Sequence, residues 1–432
     1  MRKTHFVSVF RLRKGMAMKS QYSVIVVGGG IIGLSIALTA QANGTDVLLV
    51  DKNEIGSGAS FGNAGHIATE QVFPIADPSV LKSIPKMLLD PLGPLRLDWR
   101  YLLPLTPWML KLVGNMRHKP FTHIHQTLMM LNSAAFDSWQ AFIQKWQLSD
   151  LVKMQGSLLV AEKKETLEKL HQHGESLQNM NVHNLVIDQT ELLEREPALA
   201  TNQLGGLFFP NTGHVVDLSK LHSKLAQSFV ELGGNILTNC EVIAISSTSN
   251  KEASITTTQG KFTGQKVVIA GGAFSKSLVK MVSRINVPLE TERGYHLMLP
   301  QEQGRLNIPV SSMDRRFIMT PMAGGLRLAG TVEYAGLKRP ANMQRARHFL
   351  PLAAPMLKAP LNDAQSTPWM GFRPSTSDSL PVIDNKGPYI FAFGHQHLGL
   401  TQAAITADLV NSFIHEQPTV IDCTPFSIER FL

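Results

Sequence analysis

A glycine-rich turn near the amino terminus has the spacing of a dinucleotide-binding fingerprint. Gly28, Gly30 and Gly33 fit the pattern GxGxxG, directly after the apolar run 23–27 and at the start of a helical pattern. The first glycine allows a tight turn, the second lets a pyrophosphate approach the backbone, and the third lets helix and strand pack closely. The free N–H groups and the dipole at the start of the helix attract phosphate. These residue types therefore predict a site for the pyrophosphate of a dinucleotide.

An acidic residue ends the next apolar strand. Asp51 stands eighteen residues after Gly33, at the end of the run 47–50. Its carboxylate can accept hydrogen bonds from the hydroxyls of an adenosine ribose, and its charge disfavours a ribose that carries a 2′-phosphate. Because strand, turn, helix, second strand and acid stand in register, they predict a Rossmann-type βαβ unit more specifically than the glycines alone.

The fingerprint does not distinguish NAD from FAD, but two further segments favour a flavin. The small residues of GSGASFGNAGH (56–66) let backbone lie along an extended ligand, and their hydroxyls and amides can bond a ribityl chain. The run GHQHLGLT (394–401) leads into the last predicted helix, whose amino-terminal end would stabilise an anionic reduced flavin ring. The predicted cofactor-binding residues are Gly28, Gly30, Ile31, Ile32, Gly33, Asp51, Lys52, Gly58, Ala59, Ser60, Asn63, Ala64, Gly65, His66, Val242, Gly271, Gly394, His397, Leu398, Gly399, Leu400 and Thr401.

The hydrophobic pattern predicts an α/β fold in which a Rossmann-like FAD-binding domain carries an inserted α+β substrate domain. Short apolar runs of the buried parallel-strand type recur along the chain, whereas residues 286–335 alternate like antiparallel strands of a mixed or antiparallel sheet. After a basic amino-terminal tail at 1–20, the predicted boundaries are 21–76, 205–285 and 366–432 for the FAD-binding domain and 77–204 and 286–365 for the substrate domain.

Composition narrows the class of protein. The 432 residues are 44% hydrophobic, which excludes a disordered or fibrous protein. The net charge is +8, but six excess positive charges lie in the first twenty residues, so the charge does not predict nucleic-acid binding. Cys240 and Cys423 stand far apart with no Cys/His cluster, so we expect no disulfide framework, no metal site and a reducing, cytoplasmic location.

The segment 77–120 is apolar but contains seven prolines, which exclude one long helix. Two interpretations stay open. The segment is either a packed, irregular lid, or a peripheral surface that rests on the inner face of the cell membrane through Trp99, Tyr101 and Trp108. The basic tail likewise reflects either an upstream start codon or an arm that touches anionic lipid.

Seven blocks between residues 22 and 431 carry a family resemblance. They are VIVVGGGIIGLSIA (24–37), GASFGNAGHIATEQVFP (58–74), VVIAGGAFS (267–275), ETERGYHLML (290–299), GFRPSTSDSLPVI (371–383), GHQHLGLT (394–401) and PFSIERF (425–431). Together they resemble the D-amino-acid oxidase superfamily of flavoproteins, and most of all its bacterial D-amino-acid dehydrogenases. Residues 1–17 have no expected family counterpart, and Asp51 stands where many relatives carry Glu, which keeps the charge.

The resemblance implies a non-covalent FAD, a two-domain fold with a mixed sheet over the flavin, and oxidative deamination of an amino acid. It also implies that the dehydrogenase branch passes electrons to a membrane quinone chain. In this family an arginine of the FRPSTSD block binds the substrate carboxylate, so the resemblance assigns that role to Arg373.

Oxidising an amino acid at Cα requires that its carboxylate be held, and the planar fork of arginine suits that task. Arg373 is the first candidate, and Arg293 and Tyr295 of the RGYH block come second. Each arginine has a structural alternative, in which it pairs with Asp378 or Glu292. His66 is a candidate for shaping the amine pocket, and His296, His395 and His397 are further candidates.

Three functions remain open from the sequence. The first is FAD-dependent oxidation of D-amino acids to 2-oxo acids and ammonia by hydride transfer from Cα to flavin N5, with variants that take glycine, sarcosine, proline or hydroxyproline and pass electrons to oxygen or a quinone. The second is a non-catalytic FAD-binding subunit, which would not need Arg373 or Arg293. The third is an NAD-dependent dehydrogenase, which the small-residue loop 56–65 disfavours.

Overall fold

The computed structural model of the chain describes residues 19–78, 92–249 and 251–432. Most of the basic tail predicted at 1–20, and residues 79–91 of the proline-rich segment, lie outside the described residues. The described strands are β1 (Gln21–Val27), β2 (Val47–Val50), β3 (His66–Ile67), β4 (Leu95–Leu97), β5 (Val152–Lys153), β6 (Ser157–Ala161), β7 (Leu185–Asp188), β8 (Gly205–Phe209), β9 (Gly213–Val215), β10 (Asn235–Leu237), β11 (Val242–Ser249), β12 (Glu252–Thr257), β13 (Gly260–Ile269), β14 (Leu289–Leu299), β15 (Val310–Ser312), β16 (Phe317–Met322), β17 (Gly325–Tyr334), β18 (Thr367–Thr376), β19 (Val382–Lys386) and β20 (Tyr389–Phe393).

Helices alternate with these strands in some parts of the chain and follow one another in others. The described α-helices are α1 (Ile31–Ala42), α2 (Leu102–Asn115), α3 (His118–Trp146), α4 (Lys164–Gln178), α5 (Gln189–Arg195), α6 (Leu218–Glu231), α7 (Ser275–Val282), α8 (Gln344–Arg347), α9 (Phe349–Ala353) and α10 (Ala403–Ile414). Short 3-10 helices lie at Trp99–Tyr101, Gly272–Phe274, Pro300–Glu302, Ala354–Met356, Thr424–Phe426 and Ile428–Phe431.

Eight of the described strands form a sheet with a parallel centre in the order β10-β2-β1-β13-β20. Strand β19 adds antiparallel to β20, and β12 and β11 continue antiparallel from β13. Helix α1 connects the parallel neighbours β1 and β2, which is the βαβ unit that the glycine turn predicted. The Rossmann-like part of the predicted fold class is confirmed.

Helices cover both faces of this sheet. On one face α1, α6 and α10 bury side chains such as Leu34, Leu225 and Leu409 completely. On the other face Val279 of α7 packs with Ile25 and other sheet residues. Each fully buried leucine stabilises the fold by about 1.5–3 kcal/mol, so burial on both faces explains why these strands are continuous apolar runs.

Nine further described strands form a second sheet, and this sheet is mixed as predicted. The order is β18-β14-β17-β16-β15-β6-β8-β7, with β4 added beside β17. The pairs are antiparallel except β15 with β6 and β4 with β17. A small sheet of β3, β9 and β5 lies apart from both.

The division into domains stays a prediction, but strand pairing refines it. Strands β8 and β18 pair within the second sheet, although the predicted boundaries at 205 and 366 place them with the FAD-binding segments. We therefore propose that the FAD-binding segments begin after β9 and after β18.

The proline-rich segment contains a helix in its described part, and two of its prolines lie within the bounds of that helix. Pro104 stands in the first turn of α2 and Pro107 in its interior, and the helix is 14 residues long. Trp108 is buried and donates its indole N–H to the carbonyl of Ser375 (3.1 Å), and the Tyr101 hydroxyl donates to Glu290 (3.0 Å). The interpretation in which Trp108 rests on a membrane is therefore wrong. Tyr101 is half-buried, and Trp99, with 69% of its surface exposed, is the one of the three that faces outward. Across the described ranges, no helix combines the length and apolarity needed to cross a bilayer.

Candidate functional site

A cavity of about 1520 Å³ connects the glycine turn of the first sheet with the strands of the second. Pockets that hold drug-sized ligands measure about 300–1,000 Å³, so this cavity has room for an extended dinucleotide together with a second, small ligand. Gly28 and Asp51 line one end, and Arg373 and Glu292 line the other.

The glycine turn fits the pattern of a phosphate cradle. Gly28 has φ +116°, and a Cβ there would collide with the carbonyl of Ala270. A Cβ on Gly33 would collide with the carbonyl of Gly28, so the third glycine serves packing and does not line the cavity. Gly30 lines the cavity as the N-cap of α1, and no side chain caps the helix at that residue. The backbone at the start of α1 therefore faces the cavity.

Asp51 connects this turn to the end of β2. Its carboxylate accepts the N–H of Gly29 (2.6 Å) and the N–H of Asn53 (2.7 Å). Burial raises the pKa of Asp51, and these two N–H donors act against that rise. Next to it Lys52 lies over the ring of Phe274, with its Nζ 3.1 Å from the ring centroid. Both residues line the cavity, where a ribose hydroxyl can reach the carboxylate.

The loop of small residues after β2 is held by hydrogen bonds to fixed elements. The Ser60 hydroxyl accepts the N–H of Ile31 (2.9 Å), and the Asn63 side chain accepts the N–H of Gly65 (2.8 Å). The buried guanidinium of Arg327 donates to the carbonyl of Asn63 (2.5 Å). These hydrogen bonds hold the loop in place as one wall of the cavity.

His66 at the end of this loop is buried. Its Nε2 forms a hydrogen bond with the Ser157 hydroxyl (3.1 Å), and burial lowers the pKa of His66 to about 3. Glu70 lies 3.9 Å away, and burial raises the pKa of Glu70 to about 8. Burial therefore disfavours the charged form of both His66 and Glu70.

The carboxy-terminal loop that precedes α10 is joined to the small-residue loop. The Thr401 hydroxyl accepts the N–H of Ala68 (2.9 Å), and His397 hydrogen-bonds the side chain of Gln71 (2.7 Å). The buried indole of Trp139 donates to the carbonyl of Thr401 (2.9 Å), which fixes this loop from α3. Desolvation by the neighbouring residues lowers the pKa of His397, and the charge of Arg373 adds to this shift.

Strand alternation separates the residues of the RGYH block. Side chains on a strand point alternately to opposite faces, and Glu292 and Gly294 of β14 line the cavity. Arg293 and Tyr295 lie on the other face. Arg293 is fully buried there and donates to the carbonyls of Gly336 (2.8 Å), Arg339 (2.9 Å), Ala335 (3.2 Å) and Pro340 (3.2 Å).

The structure therefore places Arg293 and Tyr295, two of the predicted substrate-binding residues, outside the lining of the cavity. The Tyr295 hydroxyl donates to Glu333 (2.6 Å), whose carboxylate also lies 3.6 Å from the Arg293 guanidinium. The two residues hold the segment that follows β17. Choosing between Arg293 and the residues on the opposite face of β14 required knowing which face borders the cavity. Gly294 is the sequence signal for that face, because a glycine leaves space beside the strand.

Arg373 reaches the cavity from the neighbouring strand. It stands opposite Glu292 in the antiparallel pair of β14 and β18. Its guanidinium lies on Gly294 so closely that a Cβ there would be 2.5 Å from the guanidinium carbon. One Nη donates to the carbonyl of Thr331 at 3.5 Å, a long hydrogen bond.

The surroundings of Arg373 favour a ligand-binding role over a structural one. Its alternative partner Asp378 is bound by Arg430 instead (2.7 Å). Burial lowers the pKa of the Arg373 guanidinium, and the charge of Glu292 opposes that change. Arg373 therefore offers most of its donors to the cavity.

Sequence reasoning missed several residues of this end of the cavity. Tyr334 donates its hydroxyl to Glu292 (2.9 Å), and Trp369 packs on Gly62 and on the ring of His296 (5.0 Å between centroids). Burial lowers the pKa of His296 to about 3 and the pKa of His395 to about 3. Alternation along β14 could have indicated Glu292, whereas Tyr334 and Trp369 carry no local signal.

The lining brings together most of the predicted residues. These are Gly28, Gly30, Ile31, Ile32, Asp51, Lys52, Gly58, Ala59, Ser60, Asn63, Ala64, His66, Val242, Gly271, Arg373, Gly394, His397, Gly399 and Leu400. Behind the lining stand Gly33, Gly65, Arg293, Tyr295, Leu398 and Thr401.

Comparisons with known proteins place this geometry in context. Residues 23–412 match the model of the DAO family, described as FAD dependent oxidoreductase. The chain is 30% identical over 421 residues to a D-amino-acid oxidase of Bradyrhizobium diazoefficiens, covering 95% of this chain and 99% of the relative. It is 27% identical over 427 residues to a D-amino acid dehydrogenase of Vibrio atlanticus, covering 95% of this chain and all of the relative. Glycine oxidase from Geobacillus kaustophilus has the same fold, with a TM-score of 0.74 over 96% of this chain and 100% of that one at 22% identity.

The residues present fit FAD. The bare backbone at Gly28 and Gly30, the acid at Asp51 and the loop around Ser60 form one continuous wall of the cavity. They would hold the pyrophosphate, the adenosine ribose and the ribityl chain respectively. The cavity continues beyond this wall to Arg373, which leaves the second space for a substrate.

Replacing Gly30 with valine is expected to abolish FAD retention, because the new methyl groups would fill the space in front of α1. The nearest atom to a Cβ at Gly30 is the Ser60 hydroxyl at 3.1 Å. We therefore expect the substitution to impair FAD binding more than folding. The flavin absorbance of the purified protein, relative to its absorbance at 280 nm, measures retention. Gly324→Val is the matched control, since a Cβ at Gly324 meets nothing within 4 Å and Gly324 does not line the cavity. A Gly30→Val protein with the flavin content of the unchanged chain would refute the phosphate role.

Proposed function

This chain belongs to the DAO family of FAD-dependent oxidoreductases, and we propose that it oxidises a D-amino acid at Cα to a 2-oxo acid and ammonia through an imine. The observation that carries the proposal is the Arg373 guanidinium, which lines the far end of the cavity with most of its donors unused. A subunit that only carried electrons would not need a half-buried guanidinium that faces an open space.

The proposed mechanism depends on orientation. Arg373 binds the substrate carboxylate in a planar, two-donor contact, which fixes the direction of Cα. Bound FAD supplies the acceptor for the hydride that leaves Cα. The indole of Trp369 and the apolar side chains of Leu105 and Trp108 line the same end of the cavity and exclude water. The chain itself therefore contributes position and a dry site.

Curated relatives support the D-configuration. The relatives from Bradyrhizobium diazoefficiens and Vibrio atlanticus are named for D-amino acids, and both match nearly their whole length. Glycine oxidase shares the fold at lower identity, so glycine, sarcosine and proline or hydroxyproline are the alternative substrates.

We further propose that electrons leave to a membrane quinone and that helix α2 makes a peripheral membrane contact. Leu103 and Leu110 lie on one face of α2, with 88% and 68% of their surface exposed, while Trp108 on another face lines the cavity. Residues 99–136 contain Arg100, Lys111, Arg117 and Lys119 and no acid. An apolar helix face with a positive surround suits an anionic lipid surface.

A substrate screen tests the proposed function. The FAD-loaded protein is mixed with D- and L-amino acids, glycine, sarcosine and proline under nitrogen, with a reducible dye as acceptor and then with a quinone analogue or oxygen. We expect D-amino acids to reduce the dye fastest and the quinone analogue to serve better than oxygen. Activity with L-amino acids alone, or with N-methyl amines alone, would contradict the assignment. A yellow protein that no amine reduces would favour the non-catalytic alternative.

Removing the guanidinium is expected to lower kcat/KM by about 30- to 5,000-fold, corresponding to about 2–5 kcal/mol for a lost buried charged contact. The variant is Arg373→Ala, measured with the best substrate of the screen and normalised to bound flavin. Arg373→Lys should recover part of the loss, since it restores charge without the fork. Arg305→Ala is the control, because Arg305 pairs with Glu302 and does not line the cavity. Normal kinetics of Arg373→Ala would remove this residue from the site.

Helix α2 is tested by sedimentation with vesicles of phosphatidylglycerol and phosphatidylcholine. We expect the protein to bind the anionic vesicles and Leu110→Asp to weaken binding at least about fivefold, because a buried leucine contributes about 1.5–3 kcal/mol. Val420→Asp is the matched control, since Val420 is 69% exposed and Leu110 is 68% exposed. Equal effects of the two substitutions, or no binding of the unchanged chain, would refute the contact.

A further inference from the structure

We propose that Glu292 binds the ammonium group of the substrate beside the Arg373 guanidinium that binds its carboxylate. This inference rests on the proposed function and deepens it, because it names the group that recognises an amine. Neither the motif that indicates Arg373 nor the glycine fingerprint indicates Glu292.

Glu292 and Arg373 are directly opposite each other on neighbouring strands. Residues opposite each other in an antiparallel pair present their side chains on the same face of the sheet. Both side chains line the cavity, and Glu292 is only 2% exposed. A carboxylate and a guanidinium therefore meet at one end of an otherwise largely apolar space.

The charges of Glu292 and Arg373 interact through space but do not form a direct ion pair. Each influences the pKa of the other: Arg373 lowers that of Glu292, and Glu292 raises that of Arg373. In the described part of the chain, no oxygen of Glu292 lies within the 4.0 Å of an ion pair from a nitrogen of Arg373. A directly bonded pair would satisfy itself, whereas a separated pair can take a ligand between its members.

Glu292 is held from its other side. The Tyr334 hydroxyl donates to Oε1 (2.9 Å), and Glu292 lines the cavity, where a ligand can reach its carboxylate. Burial raises the pKa of Glu292, while Arg373 and the hydroxyls of Ser375 and Tyr334 favour its charged form. A buried carboxylate costs free energy unless a positive partner approaches it, and an ammonium group would supply that partner.

An α-amino acid has the matching charge pattern. Its ammonium and carboxylate groups are both attached to Cα, so one molecule carries the two charges that complement a carboxylate and a guanidinium on the same face of the sheet. With Arg373 on the carboxylate and Glu292 on the ammonium, two contacts fix two directions at Cα. The side chain and the Cα–H bond are then fixed as well, which a carboxylate contact alone does not achieve.

The alternative is that Glu292 serves only as a counter-ion of Arg373. In that case removing its charge changes the binding of every carboxylate equally. If Glu292 binds the ammonium, the change depends on whether the ligand carries one. Two ligands of the same shape that differ in that single group separate the alternatives.

The experiment compares 2-aminoisobutyrate with pivalate, in which a methyl group replaces the ammonium. Neither has a hydrogen on Cα, so neither can be oxidised. Binding to the FAD-loaded protein is followed by the change in flavin absorbance, and the ratio of the two Kd values is the readout. We expect the unchanged chain to prefer 2-aminoisobutyrate and Glu292→Gln to reduce this preference at least about tenfold, which corresponds to about 1.4 kcal/mol.

Glu290→Gln is the matched control. Glu290 lies two residues earlier on the same strand, is buried and accepts a hydrogen bond from the Tyr101 hydroxyl (3.0 Å), but does not line the cavity. It should keep the preference. If Glu292→Gln fails to retain flavin, Glu292→Asp is used instead, and withdrawing the carboxylate by one methylene should weaken 2-aminoisobutyrate severalfold and leave pivalate unchanged.

An equal change in both Kd values, or the absence of a preference in the unchanged chain, would overturn the role of Glu292. A different result would refute the proposed function itself, namely that the unchanged chain oxidises no amino acid in the anaerobic screen. A chain that oxidises amino acids while the glutamine variant keeps its preference would leave the function standing and refute this inference alone.

Discussion

The packing of the Arg373 guanidinium on Gly294 is the contact on which the far end of the cavity depends. No other residue type at position 294 leaves room for that group, because a Cβ would lie 2.5 Å from its central carbon. The directly opposite residue on β18 is Gly371, which in turn leaves room for the indole of Trp369. Two glycines on adjacent strands therefore remove side chains from the sheet at one place. Arg373 and Trp369 occupy the space that they leave, and both side chains line the cavity there.

The cofactor end follows the same principle with different groups. Gly28 adopts φ +116° at the end of β1, and the N–H of the next residue is bound by Asp51. The acid that would bind the ribose therefore also fixes the turn that would bind the pyrophosphate. Loss of either group would disturb the other, which couples the shape of the turn to the position of the ribose site. The Ser60 hydroxyl adds a third connection, because it bonds the first N–H of α1 from the neighbouring loop.

The amino-acid sequence predicted local features well and spatial choices poorly. The unit β1-α1-β2 and strand β20 follow from short apolar runs and glycine positions, which are local signals. The choice between Arg293 and Arg373 was not local, since it depended on which face of β14 borders the cavity. Trp108 looked like an interfacial residue because aromatic and proline residues surround it, yet α2 turns its indole toward Ser375. Periodicity indicates that a helix has two faces, but only tertiary packing decides which one is covered.

The two faces of β14 show why access, and not residue type, distinguishes structural from functional charges. On the covered face Arg293, Glu333 and Tyr295 form a network in which the guanidinium donates to four backbone carbonyls. On the cavity face Arg373, Glu292 and Tyr334 repeat the same three residue types, but the guanidinium makes one long bond to a backbone carbonyl, and the carboxylate accepts the hydroxyl of Tyr334. Burying a charge without full hydrogen bonding is costly. A fold can retain such a cost where a ligand completes the missing bonds, and the half-satisfied network is the one that lines the cavity.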